Sequence, residues 1–204
     1  MKDNYFDTVA KEWNTPERKH SGEELKEIIL NKISGHKALS EVKALEIGAG
    51  SGTLAMLLSQ HFNKIDCVDS SSGMRDEFLK NKKEFSADNV FIYDEGFLDN
   101  TDMKYDLIYS HKVFHHIPDV ENELCLLKNV LAPDGKFYLM DFCVIPVEFH
   151  KDFPDFDGHN GFSKEEIYSY FKNTGWKVSE YEIIKHGEKD GMEYDIFLAV
   201  GEME

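Results

Sequence analysis

Three glycines alternate with other residues directly after an apolar segment and directly before a run with the spacing of an amphipathic helix. The apolar segment is Ala44–Ile47, the glycines are Gly48, Gly50 and Gly52, and the helical run begins at Thr53. Glycine permits positive φ angles and a close approach of the backbone to a ligand. The first turn of a helix presents free N–H groups and the positive end of the helix dipole. The stretch therefore predicts a strand, a tight turn and a helix that bind the polar or anionic part of a nucleotide-like cofactor.

The spacing of the glycines bears on which cofactor this turn binds. The dinucleotide-binding fingerprint Gly-x-Gly-x-x-Gly/Ala, counted from Gly48, requires glycine or alanine where this chain has Thr53. An acidic residue, Glu46, stands two positions before the first glycine instead. A flexible loop would also be rich in glycine, but the strand before it and the helix after it favour a binding turn.

Strand-like and helix-like segments alternate along the chain. The expected strands are Ala44–Ile47, Ile65–Val68, Asn89–Tyr93, Tyr105–Ser110 and Lys136–Phe142, followed by a hairpin of Val178–Lys185 and Tyr194–Val200. This alternation predicts a parallel sheet with helices on both faces, right-handed crossovers and a ligand at the carboxyl ends of the strands. Asp69 ends the second strand about 20 residues beyond the glycines, where the two oxygens of a carboxylate match the two hydroxyls of a ribose.

Two further segments are candidates for enclosing a site. Residues 1–34 carry apolar side chains at helical spacing with a break at Pro16, and we expect a helical lid or a pair of helices that packs outside the sheet. Residues 144–162 are irregular and rich in phenylalanine, aspartate and histidine, which is typical of a functional loop. We expect this inserted loop to lie over an acceptor pocket with aromatic walls.

Composition limits the class of protein and its partners. At 204 residues the chain is expected to be a single domain over residues 1–204. The net charge of -16 disfavours nucleic acid as a partner. No apolar run approaches the roughly 20 residues that span a membrane, and no signal peptide follows Met1. The 3 cysteines have no Cys-x-x-Cys spacing, which favours buried reduced thiols and a cytoplasmic location.

Five stretches together resemble the class I S-adenosylmethionine-dependent methyltransferases of the small-molecule type, over essentially the whole chain. They are Leu45–Gly52, Val68–Ser70 with Met74, Tyr105–Ser110, Phe114–Ile117 and Leu131–Gly135, with Asp134 where the family often has a second glycine. The resemblance implies a Rossmann-like, doubly wound α/β sheet of seven strands, mostly parallel with the last strand antiparallel. It also implies the cofactor S-adenosyl-L-methionine, the product S-adenosyl-L-homocysteine and a reaction of the EC 2.1.1 type.

Carried over by position, the resemblance places the methionyl part of the cofactor on the glycine turn, its ribose on Asp69 and its adenine beside Ser70. The implied cofactor-binding residues are Glu46, Gly48, Ala49, Gly50, Asp69, Ser70, Met74, Asp94, Glu95 and Ser110.

Methyl transfer from a sulfonium is an in-line displacement, so the protein must align the reactants and exclude water. A general base is needed only if the acceptor loses a proton. The candidate catalytic residues are His111 and, in the loop, His150 or His159, with Tyr5 and Asp141 as weaker candidates. The histidines and aspartates of residues 150–159 have metal-ligand chemistry, but their spacing matches no metal motif, and no metal site is expected.

Two alternatives to a methyltransferase of small molecules stay open at this point. A nicotinamide-dependent oxidoreductase shares the fold and the ribose carboxylate, although the glycine spacing and the lack of a Tyr-x-x-x-Lys pair disfavour it. A non-catalytic S-adenosylmethionine-binding protein would keep the cofactor residues and have no acceptor. The acceptor atom and the oligomeric state are not determined by these patterns.

Overall fold

The computed structural model describes residues 5–33, 37–153 and 156–203. Seven strands form one sheet in the order β3-β2-β1-β4-β5-β7-β6. The strands are β1 Lys43–Ile47, β2 Lys64–Val68, β3 Val90–Tyr93, β4 Tyr105–His111, β5 Leu131–Phe142, β6 Trp176–Lys189 and β7 Met192–Met203. The α-helices of the described residues are α1 Tyr5–Val9, α2 Pro16–Ile33, α3 Thr53–Leu58, α4 Ser72–Phe85, α5 Val120–Val130 and α6 Lys164–Asn173.

This order confirms the predicted Rossmann-like α/β fold. The strand pairs β1–β2, β2–β3 and β4–β5 are parallel, whereas β7 runs antiparallel to both of its neighbours, β5 and β6. The chain divides into two compact units, residues 1–100 and residues 101–204. The single-domain organisation over residues 1–204 stays a prediction.

In the first unit, the register of the three parallel strands aligns their carboxyl ends. Ile47 is paired with Val68, and Val68 with Tyr93. The residues that follow the three strands therefore leave the sheet at one edge, and Gly48 N–H and Ala49 N–H both donate to the carbonyl oxygen of Val68, at 2.8 and 3.2 Å. These two hydrogen bonds join the glycine turn directly to the end of β2.

Helix starts in both units follow local capping signals. Ser71 caps α4, because its side chain accepts a hydrogen bond from Met74 N at 3.1 Å. Ser163 and Glu166 form a capping box at the start of α6. Pro16 is the first residue of α2, where its missing N–H leaves no hydrogen bond unmade.

In the second unit, the terminal hairpin is longer than the sequence pattern indicates. The first strand of the hairpin ends at Lys189 and the second begins at Met192, so only Asp190 and Gly191 form the turn. Both turn residues have positive φ angles, 53° and 76°, as a type I′ turn requires. Because alternating polar side chains on a free edge give a weak strand signal, residues 186–189 were expected to be loop and are strand.

The prediction of three buried cysteines is wrong. Cys67 is buried in β2, but Cys143 is only partly buried and Cys125 is exposed on α5. Cys125 lies next to the buried Leu124 on a helix whose apolar stripe does not include it. None of the helices among the described residues is both long and apolar enough to cross a membrane.

Candidate functional site

The glycine turn of the first unit has the backbone that the sequence predicts. Gly48, Gly50 and Gly52 have φ angles of 69°, 54° and 79°, in the left-handed region where a side chain is strained. At Gly52 a Cβ atom would also lie 2.3 Å from the ring of Phe78, which is fully buried. Gly52 therefore serves both the turn into α3 and the close packing of α3 against α4.

Asp69 lies at the end of β2, and two backbone N–H groups hold its carboxylate. Gly50 N–H donates to Oδ2 at 2.7 Å and Ser71 N–H donates to Oδ1 at 2.9 Å. Burial raises the pKa of this carboxyl group, and the two backbone hydrogen bonds oppose that rise. Each carboxylate oxygen has a second lone pair, so the fixed group can still accept hydrogen bonds from a ligand.

The backbone after Asp69 is held in place by an arginine. Nη1 of Arg75 donates to the carbonyl oxygens of Asp69 and Ser70, at 2.7 and 2.9 Å. Met74 is buried, and its sulfur lies 3.9 Å from the position that a Cβ on Gly50 would take. The structure thus brings Gly50, Asp69 and Met74 together, while the side chain of Ser70 is exposed.

Glu46 and the acidic pair after β3 lie in different environments. Glu46 is buried in β1, and its Oε2 lies 3.9 Å from Sγ of Cys67. Burial and, next, the charge of Glu46 raise the pKa of that thiol. Asp94 and Glu95 are exposed, and Oδ1 of Asp94 accepts a hydrogen bond from Gly96 N–H at 3.1 Å.

Asp94 also borders an open groove of about 520 Å³ between α4 and the end of β3. Arg75 and Asp94 contribute polar groups to this groove, and Tyr93 and Phe97, which stack with their ring centroids 4.0 Å apart, form an aromatic wall. The groove therefore offers a flat surface and charged groups at the edge of the first unit.

The N-terminal helical segment contacts the glycine turn and the start of α4 through side chains that the sequence reasoning missed. Oδ1 of Asp7 accepts hydrogen bonds from Ser71 Oγ at 2.6 Å and Gly73 N–H at 2.7 Å, and these bonds lower the pKa of Asp7. Oδ1 of Asn14 accepts a hydrogen bond from Ser51 Oγ at 2.6 Å. No local pattern marks either residue, because a polar side chain is ordinary both on the exposed face of α1, where Asp7 lies, and in the short link before α2, where Asn14 lies.

The second unit contains a buried histidine and carboxylate pair. Nδ1 of His115 lies 2.7 Å from Oδ1 of Asp141, and Oδ2 of Asp141 accepts a hydrogen bond from His115 N–H at 3.1 Å. Phe142 N–H donates to Oδ1 of the same carboxylate at 2.7 Å. The two oxygens of Asp141 thus hold both the ring and the backbone of His115.

His150 is the candidate base that lies in the cluster around this pair. Its ring stacks on Phe156 with a centroid distance of 3.9 Å and lies 5.4 Å from the ring of His115. Nδ1 of His150 pairs with Asn160 Oδ1 at 3.2 Å, whereas the buried Nε2 has no hydrogen-bond partner. Burial lowers the pKa of His150, so the ring is neutral at pH 7 and Nε2 is a free acceptor.

His111 ends β4, after Ser110, which is fully buried in the second unit. Nε2 of His111 is also buried without a partner, and burial, followed by the charges of Lys112 and Lys185, lowers its pKa well below the ordinary value. His111 is thus an uncharged base candidate.

The alternative loop histidine, His159, and the weaker candidate Tyr5 have other contacts. Nε2 of His159 lies 3.1 Å from the carbonyl oxygen of Ile117, which occupies this ring nitrogen. Tyr5 lies in α1 and contacts Phe6 edge to face. Among residues 5–33, 37–153 and 156–203, no group of three or more histidine, cysteine or acidic side chains has the arrangement of a metal site.

A family model described as a methyltransferase domain matches residues 16–181, which is most of the chain. The chain belongs to this methyltransferase family. Its class is the class I S-adenosylmethionine-dependent methyltransferases, and S-adenosylmethionine is the methyl donor of that class.

Relatives of this methyltransferase are only moderately similar in sequence. An uncharacterized methyltransferase of Staphylococcus carnosus is 24% identical over 162 residues, covering 74% of this chain and 76% of the relative. A malonyl-[acyl-carrier protein] O-methyltransferase of Priestia megaterium is 31% identical over 117 residues, covering 56% of this chain but only 42% of the relative. The matched segment is thus less than half of the Priestia protein.

Solved structures share the fold of this methyltransferase. The complex of DhpI with S-adenosylhomocysteine superposes with a TM-score of 0.73 at 18% identity, covering 98% of this chain and 93% of DhpI. At this identity the likeness shows a common fold.

Proposed function

We propose that this methyltransferase binds the ribose of S-adenosylmethionine through Asp69 and transfers the methyl group to a small-molecule acceptor. The observation that carries the proposal is the carboxylate of Asp69, which two backbone N–H groups fix at the end of β2. A carboxylate held in one orientation can accept hydrogen bonds from two neighbouring hydroxyl groups without first losing side-chain entropy. The position agrees with the general rule that ligands bind at the carboxyl ends of parallel strands.

The other proposed cofactor residues act around Asp69. We expect the backbone of Gly48, Ala49 and Gly50 to border the methionyl part and the buried Met74 to pack against the adenosine. We also assign roles in cofactor binding to Glu46, Ser70, Asp94, Glu95 and Ser110. The contacts of Asp7 with α4 and of Asn14 with the glycine turn support a further role for residues 1–34 as a lid over this site.

A small-molecule acceptor is supported by the chemistry of the second unit. His111 and His150 each carry a buried Nε2 without a hydrogen-bond partner, and both rings are neutral because burial lowers their pKa. A neutral imidazole can accept a proton from an acceptor hydroxyl or amine as the methyl group arrives. The phenylalanines around His150 would supply apolar walls, and we expect residues 144–162 to border the acceptor.

The test is a calorimetric titration of the protein with S-adenosylhomocysteine, with NAD as the control ligand. The wild type is expected to bind S-adenosylhomocysteine and not NAD. The variant Asp69→Asn loses the negative charge and places an amide NH₂ group opposite one of the two backbone N–H donors. We therefore expect it to bind S-adenosylhomocysteine at least about tenfold more weakly than the wild type does.

The matched control is Asp88→Asn, which changes an exposed carboxyl group of the same unit and should leave the affinity unchanged. Thermal unfolding without ligand shows whether Asp69→Asn still folds. Equal affinities of the wild type and Asp69→Asn for S-adenosylhomocysteine would refute the ribose-binding role of Asp69. A preference of the wild type for NAD would refute the cofactor assignment. A screen of small acceptors by release of S-adenosylhomocysteine then tests the transfer itself.

A further inference from the structure

The ring of His150 is packed among aromatic side chains of the second unit. His150 is buried, and Phe156 stacks on one face of its ring. Phe149 and Phe153 contact the ring edge to face, with centroid distances of 5.8 and 5.9 Å, and the ring of His115 lies 5.4 Å away. A half-turn of the imidazole would displace these neighbours in a closely packed interior. The two ring nitrogens of His150 therefore point in fixed directions.

Asn160 binds one of these two nitrogens. Nδ1 of His150 lies 3.2 Å from Oδ1 of Asn160. Because an amide oxygen only accepts hydrogen bonds, Nδ1 carries the proton and Nε2 carries a lone pair. This Nε2 is buried and has no hydrogen-bond partner among the described residues. Its fixed lone pair is thus available to a proton that a bound molecule brings.

The backbone around Asn160 is held against the end of β5. Ile145 N–H donates to the carbonyl oxygen of Asn160 at 3.0 Å, and Phe162 N–H donates to that of Phe142 at 2.9 Å. Gly161, between these two contacts, has a φ angle of 70°, and a Cβ there would overlap the backbone that follows β5. The amide of Asn160 therefore extends from a backbone that is fixed on both sides.

We propose that Asn160 is a positioning residue, which holds His150 in the tautomer whose Nε2 takes a proton from the methyl acceptor. This rests on the proposed function, because it deepens the acceptor side of the same reaction. An oxygen, nitrogen or sulfur atom of the acceptor forms a bond to the methyl carbon, while the bond from that carbon to the sulfonium sulfur breaks and leaves its electron pair on sulfur. The proton of the acceptor moves to Nε2, and Nδ1–H stays bonded to Asn160. The imidazolium ring then releases the Nε2 proton to water.

An uncharged partner suits this role better than a carboxylate. The titratable groups around His150 are His115, His116, Asp141 and Lys189. Burial lowers the pKa of His150 most and His115 and Lys189 lower it further, whereas Asn160 and Asp141 raise it. The ring is therefore an uncharged base at pH 7. A carboxylate in place of the amide would stabilise the protonated ring instead, as the charge of an adjacent acid does.

The first measurement needs no acceptor. Heteronuclear NMR of the imidazole side chains in nitrogen-labelled protein distinguishes a protonated ring nitrogen from one with a lone pair, and the variant His150→Gln identifies the signals of His150. In the wild type we expect the proton on Nδ1 and none on Nε2. In Asn160→Leu we expect the proton to be distributed over both nitrogens. Asn122→Leu, an exposed change on α5, should leave these signals as they are in the wild type.

The second measurement uses the small acceptor that releases S-adenosylhomocysteine fastest in the screen described above. Asn160→Asp should move the acid limb of the pH profile of kcat to higher pH by at least about one unit, because a carboxylate raises the pKa of the ring. Asn122→Asp adds the same charge at an exposed position and should not move the limb. Asn160→Leu should lower kcat about tenfold with little change in KM. It should lower kcat no further in a His150→Gln background, since Asn160 acts through His150.

Different results refute different parts of the assignment. A proton on Nε2 in the wild type, or an unchanged tautomer in Asn160→Leu, would overturn the positioning role of Asn160. An acid limb that Asn160→Asp leaves in place would mean that another group, such as His111, takes the proton. Thermal unfolding shows which variants fold, and if Asn160→Leu does not, the profile of the nearly isosteric Asn160→Asp decides. A screen in which no small acceptor reacts would refute the proposed acceptor class, and the NMR result would still decide the tautomer.

Discussion

Replacing Gly52 by alanine tests how the glycine turn combines backbone strain with packing. The φ angle of 79° lies in the left-handed region, which costs an alanine about 1–2 kcal/mol. The new Cβ would also lie 2.3 Å from Cδ2 and 2.5 Å from Cε2 of the buried Phe78 ring. Forcing this ring to shift in a packed core costs about 1–3 kcal/mol more. We therefore expect Gly52→Ala to lower the free energy of unfolding by about 2–5 kcal/mol.

Gly50→Ala is the matched control in the same turn. Its φ angle is 54°, and its Cβ would meet Trp13 Nε1 at 3.4 Å, an ordinary contact distance. Only the backbone strain remains, so the expected loss is about 1–2 kcal/mol. Urea denaturation followed by circular dichroism gives the free energy of unfolding for each variant.

The variant Phe78→Leu tests whether the ring of Phe78 causes the larger loss of stability in Gly52→Ala. In Phe78→Leu the clashing ring edge is absent, and adding Gly52→Ala there should cost only about 1–2 kcal/mol. If Gly52→Ala costs no more than Gly50→Ala in the wild type, or if its excess cost persists beside Leu at position 78, then the contact with Phe78 is not what requires glycine.

Two further predictions concern the second unit. Asp141→Asn should lower the free energy of unfolding by about 2–4 kcal/mol in urea denaturation, because its NH₂ group must face His115 N–H or the donors at the other oxygen. Asp134→Asn, an exposed change in the same strand, should cost less than about 0.5 kcal/mol; similar losses for both variants would contradict the reasoning. Burial lowers the pKa of His116 to about 3, so the folded protein keeps this ring neutral while the unfolded chain takes up a proton near pH 6.5. Stability should therefore be fully present above about pH 6.5 and fall toward pH 3, by up to about 1.4 kcal/mol per pH unit for each such histidine. Urea denaturation between pH 7.5 and 4 measures the slope, which His116→Phe should reduce; an unchanged slope in that variant would assign the acid sensitivity to other groups.

Much of the fold follows from signals that involve residues close together in the chain. Ser71 and Ser163 mark helix starts because a cap bonds a backbone N–H only three residues away. The position of Asp69 after β2 is predictable because the end of a parallel strand is recognisable from the apolar run before it. The lengths of the hairpin strands and the exposure of Cys125 were predicted wrongly, since both depend on which side chains the neighbouring elements cover.

The sequence by itself determined the glycine turn, because three positive φ angles in five residues are accessible only to glycine at low cost. It also determined the order of strands and helices, because each type of element has its own hydrophobic period. Only the tertiary structure shows which residues far apart in the sequence contact one another around the candidate site residues. Asp7 reaches the start of α4 from 66 residues away, and Asp141 holds His115 across 26 residues. Such contacts depend on how distant elements pack, and no local pattern of residues encodes that packing.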